Sequence, residues 1–256
     1  SFGDRGFDYA GNARVDLAVW KHSRAAIVVE NGQRLSHQAA RLCEVAHRFE
    51  RPAAGIRDWL RALRVHQWVK NVLVFLPILA AHRAFDLQAV THAALAFLCF
   101  GLCASSVYLT NDLLDLSSDR KHPRKRHRPF AAGQLPLVMG PVAALGMLVA
   151  GFALAALLLP WTFALVLAGY YILTTAYSFR LKRVVMLDVI VLALLYTARI
   201  LAGASATDVP PSFWLLAFSM FIFLSLAMIK RYTELLGAQK AGKVKASGRG
   251  YAIDDI

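Results

Sequence analysis

The chain has 256 residues, 57% of them hydrophobic, and a formal charge of +13 from 29 Lys+Arg against 16 Asp+Glu. A mean hydropathy of +0.47 argues against a soluble basic protein, and apolar runs near twenty residues are what bilayer-spanning helices need. Nucleic-acid binding is disfavoured as well, because the cations fall between apolar runs and lack interleaved aromatics.

In chain order, residues 1–58 are polar and soluble in character, with a strand expected at AAIVVE (25–30) and then a helix running through Arg57. Ser1 carries no signal-peptide pattern and does not read as a natural start. Six membrane candidates follow, at about 67–83, 89–111, 137–159, 160–179, 184–204 and 212–230. Lys70 and Asn71 interrupt the first, and Pro77 is expected to kink it. Cys99 and Cys103, one turn apart in the second, read as small buried hydrophobes, since 3 cysteines cannot all pair internally. Pro160 separates the third and fourth as a tight hairpin.

The connections differ in charge. Arg120, Lys121, Arg124, Lys125, Arg126 and Arg128 follow the second candidate, and Arg180, Lys182 and Arg183 follow the fourth. Lys230, Arg231, Lys240, Lys243, Lys245 and Arg249 follow the sixth. The alternate connections hold His82, Arg83 and Asp86, or GASATDVPP (203–211). Six helices therefore put every basic loop on one face, which the positive-inside rule makes cytoplasmic, and Arg57, Arg61 and Arg64 agree. The expectation is a multi-pass protein of a bacterial inner membrane with its chemistry on the cytoplasmic side.

That chemistry is suggested by NDLLDLSSDRKHPRKRHRPFAAG (111–133). Asp112, Asp115 and Asp119 stand at i, i+3 and i+7, so a helix continuing past the membrane edge puts them on one face. Clustered carboxylates need a compensating cation, and hard oxygen ligands with open positions suit Mg²⁺; Asn111 can add a carbonyl or orient a neighbour. The following cations repel a metal, but they make sense if a diphosphate bridges the two sets, with His122, Lys125 and Arg128 on its phosphates. A plain lipid-headgroup anchor accounts for the cations and leaves the aspartates unexplained. Arg199, deep in the fifth candidate, should face a polar cavity or partner, because an arginine at a bilayer centre costs about 2.5–3.5 kcal/mol. Tyr108, one turn before Asp112, reads as packing.

NDLLDLSSD with HPRKRHRPFAAG resembles the first aspartate-rich motif of the UbiA superfamily of intramembrane transferases. LRVHQWVKN (63–71), YSFRLKRVVMLD (177–188), ARILAGASATDVPPSFW (198–214) and KRYTELLG (230–237) resemble its decaprenyl-phosphate phosphoribosyltransferase branch. The resemblance implies an all-α integral membrane bundle, with six of about nine helices present in 59–256. It implies Asp112, Asp115 and Asp119 as Mg²⁺ ligands, and Lys70 and Asn71 lining the donor cavity within reach of Tyr177, Lys182 and Asp188. Where the superfamily's prenyltransferases carry a second acidic motif, this chain has Lys230, Arg231 and Glu234, which suits direct phosphate contact; Asp254 and Asp255 do not match that motif's spacing. The branch tends to have lysine where His66 stands. The implied reaction moves 5-phosphoribose from phosphoribosyl pyrophosphate to a polyprenyl phosphate; the alternative moves a prenyl group from a prenyl diphosphate to an aromatic or lipid acceptor. A non-enzymatic membrane anchor or transporter half is the third reading, and a homo-oligomer stays open.

GNARVD (11–16) before the strand resembles the last motif of the haloacid-dehalogenase fold, with Asn12 in place of the first acid and only Asp16 kept. Residues 1–58 are accordingly expected to be the tail of a truncated α/β domain, and the membrane domain to be incomplete at its C-terminal end.

Overall fold

A computed structural model of the chain describes residues 3–30, 33–50, 54–240 and 250–251. Lys243, Lys245, Arg249, Asp254 and Asp255 lie outside the described residues.

The N-terminal part is a three-stranded parallel sheet in the order β1 (Asp8–Gly11), β2 (Ala25–Glu30), β3 (Glu44–Glu50). Parallel neighbours need a crossover, and α1 (Leu17–Trp20) and α2 (Arg34–Ala39) lie in the two connections. Trp20, Ala26, Val28, Leu35 and Ala39 close a small core, and the Trp20 indole donates to the Tyr9 carbonyl at 2.9 Å. The expected strand at 25–30 is present. The helix expected through Arg57 is present only in part: α2 (Arg34–Ala39) begins it, β3 interrupts it, and Arg57 itself lies in the separate α3 (Ile56–Ala62). The alternation of Val45, His47 and Phe49 is a strand signal, and pairing with β2 outweighs the charge of Glu44, Arg48 and Glu50.

Asp16 accepts from the backbone N–H of Asn12 (2.7 Å) and Ala13 (2.8 Å). The bond from Ala13 is the largest cause that holds its carboxyl below the ordinary value. A depressed carboxylate stabilises above its unfolded pKa and loses that contribution as pH falls through the folded one. Amide protection in residues 8–16 should therefore drop as pH falls below about 4, and Asp16→Asn should lower it at neutral pH and flatten the profile. Native-state hydrogen exchange measures both.

Among the described residues, five helices are long and apolar enough to cross a membrane: α5 (Leu87–Leu114), α7 (Met139–Leu158), α8 (Trp161–Phe179), α9 (Leu187–Thr207) and α10 (Phe213–Lys240). α5 and α9 are 61% buried over their most apolar windows, whereas α7, α8 and α10 are 17% or less, so the first two form the interior. Phe100 of α5 packs 4.6 Å from the Tyr170 ring and 6.1 Å from Phe163, both on α8. Cys99 and Cys103 are fully buried beside them, as the sequence suggests. Trp214, Phe218 and Phe221 of α10 are exposed.

The first expected span differs in kind. Residues 65–75 form a 3₁₀ run, Val65–Phe75, that passes into the short α4 (Leu76–Ala80). Pro77 sits in the first turn of α4, where its missing N–H costs nothing, so it begins a helix instead of kinking one. At a rise of roughly 2.0 Å per 3₁₀ residue and 1.5 Å per α residue, the two pieces together reach about 30 Å, the thickness of the hydrocarbon core. Trp68, Asn71 and Val74, three residues apart, meet the interior helices. A Cβ added at Gly101 would overlap the Trp68 ring, and one at Gly203 would overlap the Val74 carbonyl. Gly203→Ala should therefore cost about 1–3 kcal/mol through overpacking against backbone, read as a lower melting temperature in detergent. Gly146→Ala, with nothing within 4 Å, is the control.

Candidate active site

At the end of the bundle where α5 and α8 finish and α9 starts, a cavity of about 340 Å³ opens. α5 contributes Tyr108, Asn111 and Asp112, and Asp115 follows at its C-cap. The basic loop contributes Lys125 and Arg128, the first segment Arg64 and Lys70, α8 Tyr170 and Tyr177, α9 Tyr196 and Arg199, and the α8–α9 turn Lys182. Six cationic side chains thus face two carboxylates. A larger cleft, about 500 Å³, lies among Arg83, His92, Trp161 and Asp208, but its Arg83 is paired with Asp86 at 2.5 Å.

The aspartates do not share one helical face. α5 ends at Leu114, Asp115 takes φ −88 and ψ 6, and a separate short helix, α6 (Leu116–Lys121), follows. The break leaves Asp112 and Asp119 3% and 1% exposed, with Asp115 at the surface. Arg128 joins the buried pair: its Nη1 donates to Asp112 Oδ1 at 3.0 Å and to Asp119 Oδ2 at 2.6 Å. Arg64 Nη2 donates to the same Asp112 oxygen at 2.6 Å, with its guanidinium 4.8 Å over the Tyr108 ring. Arg64 is placed there by a left-handed backbone (φ 52, ψ 43) between α3 and the 3₁₀ run. The loop carrying Arg128 is anchored by Phe130, which is fully buried and edge-on to Trp59 of α3 at 6.4 Å.

Arg199 is satisfied inside the bundle. Its Nε donates to Asn71 Oδ1 at 3.0 Å, its Nη2 to the Tyr170 hydroxyl at 3.0 Å and its Nη1 to the Leu195 carbonyl, between the rings of Tyr170 and Tyr196. Asn71 is thus a partner of Arg199 behind the cavity wall. Lys70 Nζ donates to Gln67 Oε1 at 2.9 Å, and Asn111 Nδ2 to Ser178 Oγ at 3.0 Å. His66 is exposed on the far side of the 3₁₀ run.

Several expected site residues lie outside the cavity wall. His122 accepts at Nδ1 from the N–H groups of Arg124 (3.2 Å) and Lys125 (3.4 Å), and so shapes the basic loop. α10 continues ten residues past the expected end, so Lys230, Arg231 and Glu234 stand on a helix and not in a loop. Lys230 is exposed. Arg231 is bound to Asp188 through Nε and Nη2, and to Glu234 Oε2 at 2.5 Å. Tyr177, which does line the cavity, donates to Asp188 Oδ1 at 2.7 Å. Arg231 and Asp188 therefore brace the site from behind, and their charges are spent on each other. Arg64, Tyr108, Tyr170 and Tyr196 are among the wall residues that sequence reasoning passes over. Arg64 reads in the sequence as topological charge, and Tyr108 lies on the Asp112 face of α5 by simple i, i+4 spacing.

The donor chemistry fits a hard divalent cation. Asp112 and Asp115 bring carboxylate oxygens to the wall, and Asp119 Oδ1 is buried without a hydrogen-bond partner, 3.8 Å from Lys125 Nζ. Among the described residues no three His, Cys, Asp or Glu side chains converge as a ligand set. The side chains present therefore supply part of such an ion's ligand set.

A family model described as the UbiA prenyltransferase family matches residues 72–245. The uncharacterized protein y4nM of Sinorhizobium fredii is 42% identical over 251 residues, covering 98% of this chain and 48% of that protein. A decaprenyl-phosphate phosphoribosyltransferase of Mycobacterium tuberculosis is 38% identical over 195 residues, covering 75% of this chain and 64% of that protein. The chain thus spans between about half and just under two thirds of these relatives. The solved structure of a UbiA homolog from Archaeoglobus fulgidus bound to DMAPP and Mg²⁺ superposes with a TM-score of 0.58 at 24% identity, covering 72% of this chain and 66% of that one, a likeness of fold.

Proposed function

The chain belongs to the UbiA prenyltransferase family, and from that premise we propose a Mg²⁺-dependent membrane transferase that moves 5-phosphoribose from phosphoribosyl pyrophosphate to a polyprenyl phosphate. The observation that carries the reading is the charge of the cavity: six cationic side chains surround two carboxylates. That is more positive charge than one metal-bound diphosphate needs, and it suits a reaction that gathers a diphosphate, a donor 5-phosphate and an acceptor phosphate. The identity to a phosphoribosyltransferase of M. tuberculosis supports the same donor.

In this reading Asp112, Asp115 and Asp119 would hold Mg²⁺, which supplies charge neutralisation for the pyrophosphate leaving group. Lys125, Arg128 and Lys182 bind phosphate oxygens and lower the cost of the charge that develops as the C1–O bond breaks. The electron pair of that bond leaves with pyrophosphate, and an acceptor phosphate oxygen forms the new bond to C1. Tyr177 is held in place by Asp188 and Arg231. Lys70 lines both the polar cavity and an apolar groove of about 340 Å³ formed by Val69, Val72, Leu73, Leu76 and Leu79. An ammonium group shared by a polar cavity and an apolar groove suits an acceptor whose phosphate adjoins a hydrocarbon tail. Residues 1–58 we read as a separate soluble unit, the tail of an α/β domain of haloacid-dehalogenase type, and residues 59–256 as the transferase unit. Basic residues gather at the cavity end, so the positive-inside rule turns the cavity to the cytoplasm of a bacterial inner membrane.

The test is Mg²⁺-dependent pyrophosphate release by the protein in detergent, with polyprenyl phosphate present and either phosphoribosyl pyrophosphate or a prenyl diphosphate as donor. Release from the sugar donor alone is expected. Release from the prenyl donor alone overturns the phosphoribosyl reading and assigns a prenyl transfer.

A further inference from the structure

Resting on the diphosphate-donor reading above, we infer that the cavity is a polyanion site before it is a metal site: Arg64 and Arg128 together hold Asp112, and they release it to a divalent cation only when a diphosphate takes over the two guanidinium groups.

The geometry is specific. Both guanidinium groups donate to one oxygen of Asp112, at 2.6 and 3.0 Å. Arg128 donates with the same Nη1 to Asp119 at 2.6 Å, and Lys125 stands 3.8 Å from the other Asp119 oxygen. Two of the three acids meant for a cation are therefore neutralised by side chains, in a cavity whose wall carries four more cations than carboxylates. Like charges a few ångströms apart repel strongly in a cavity of low effective dielectric, and a divalent ion doubles that repulsion for each guanidinium it approaches. Free Mg²⁺ must strip strong charge-assisted hydrogen bonds and then sit among the displaced arginines. A diphosphate reverses both terms. It offers the guanidinium groups planar pairs of oxygens in exchange for the carboxylate, and its negative charge offsets the surplus that repels the ion. Arg64 is the pivotal member. It sits at the junction of α3 and the 3₁₀ run, and its ring contact with Tyr108 holds the guanidinium at the cavity wall.

The experiment measures binding by calorimetry and by thermal shift of the full chain in detergent, with three additions: MgCl₂ alone, inorganic pyrophosphate with EDTA, and both together. Pyrophosphate in EDTA is expected to bind saturably, more weakly at high salt, and to raise the melting temperature. MgCl₂ alone is expected to do neither, and to bind once pyrophosphate is present. In Arg64→Gln, MgCl₂ alone should bind at least about tenfold more tightly than in the wild type, while Arg64→Lys, which keeps the charge, should stay close to wild type. Saturable binding of MgCl₂ alone to the wild type overturns the inference and leaves the proposed function standing, the more so if pyrophosphate then requires the metal. No binding of pyrophosphate in any combination overturns the inference together with the diphosphate reading.

Discussion

Asp188→Asn is expected to destabilise the protein by about 3–5 kcal/mol, more than the glycine substitution at the 3₁₀ contact. Asp188 is completely buried and Arg231 is 4% exposed, so the pair sits where the ordinary surface discount on ion pairs does not apply. The carboxylate accepts from Arg231 and from the Tyr177 hydroxyl, which ties the start of α9 to α10 and to the end of α8. Loss of its charge leaves the guanidinium buried without its main counter-ion, and Glu234, 36% exposed and on the same helix, replaces it poorly. A buried pair is costly to break and cheap to replace. The double variant Asp188→Leu with Arg231→Met should recover much of the lost stability while the single variants do not. Melting in detergent distinguishes these outcomes, and a single variant that melts like wild type removes the bracing role. Activity should fall in the double variant even where stability returns, because Tyr177 loses its acceptor.

Asp112→Asn is expected to lower pyrophosphate release by at least about a hundredfold, the range typical of losing one electrostatic contact to the reacting charge. Arg64 and Arg128 are 20% and 27% exposed, so water can take over their charge where it cannot at Arg231, and melting should fall less than in Asp188→Asn. Asp115→Ala should act in the same direction with a smaller structural effect, since Asp115 is exposed. Near-normal turnover in both variants would sink the assignment of the acids to the metal. Asp119 lies behind Arg128 and not on the cavity wall. Its amide variant should raise KM for the donor by displacing Arg128, alongside any direct effect on metal affinity.

Long-range hydrophobic patterning made the five spanning helices and the strand at 25–30 legible, because burial decides both. The basic loops and the aspartates were legible as one constellation because no lipid anchor needs acids. What escaped had local causes. The break at Asp115 depends on a single backbone conformation that three well-spaced aspartates do not signal. Hydropathy fades at Lys230 although α10 runs on to Lys240, so Arg231 and Glu234 read as loop residues when they are helical and paired. β3 hid behind its charges. Arg64 escaped because a charge beside a membrane segment already has a sufficient explanation in topology.

The 3₁₀ run turns the first segment into a triangular prism. With three residues per turn, its side chains eclipse into straight edges: Trp68, Asn71 and Val74 against the bundle, His66, Val69 and Val72 outward, and Gln67 and Lys70 beside the cavity, bonded to each other at 2.9 Å. An α-helix spreads its residues around a cylinder, whereas the prism gathers every third residue onto one straight edge. A single inserted or deleted residue therefore turns every later side chain by a third of a revolution and exchanges whole edges. Lys70 would then leave the cavity for the lipid or the core, whichever way the register slipped. The segment tolerates substitution along an edge far better than any change of length.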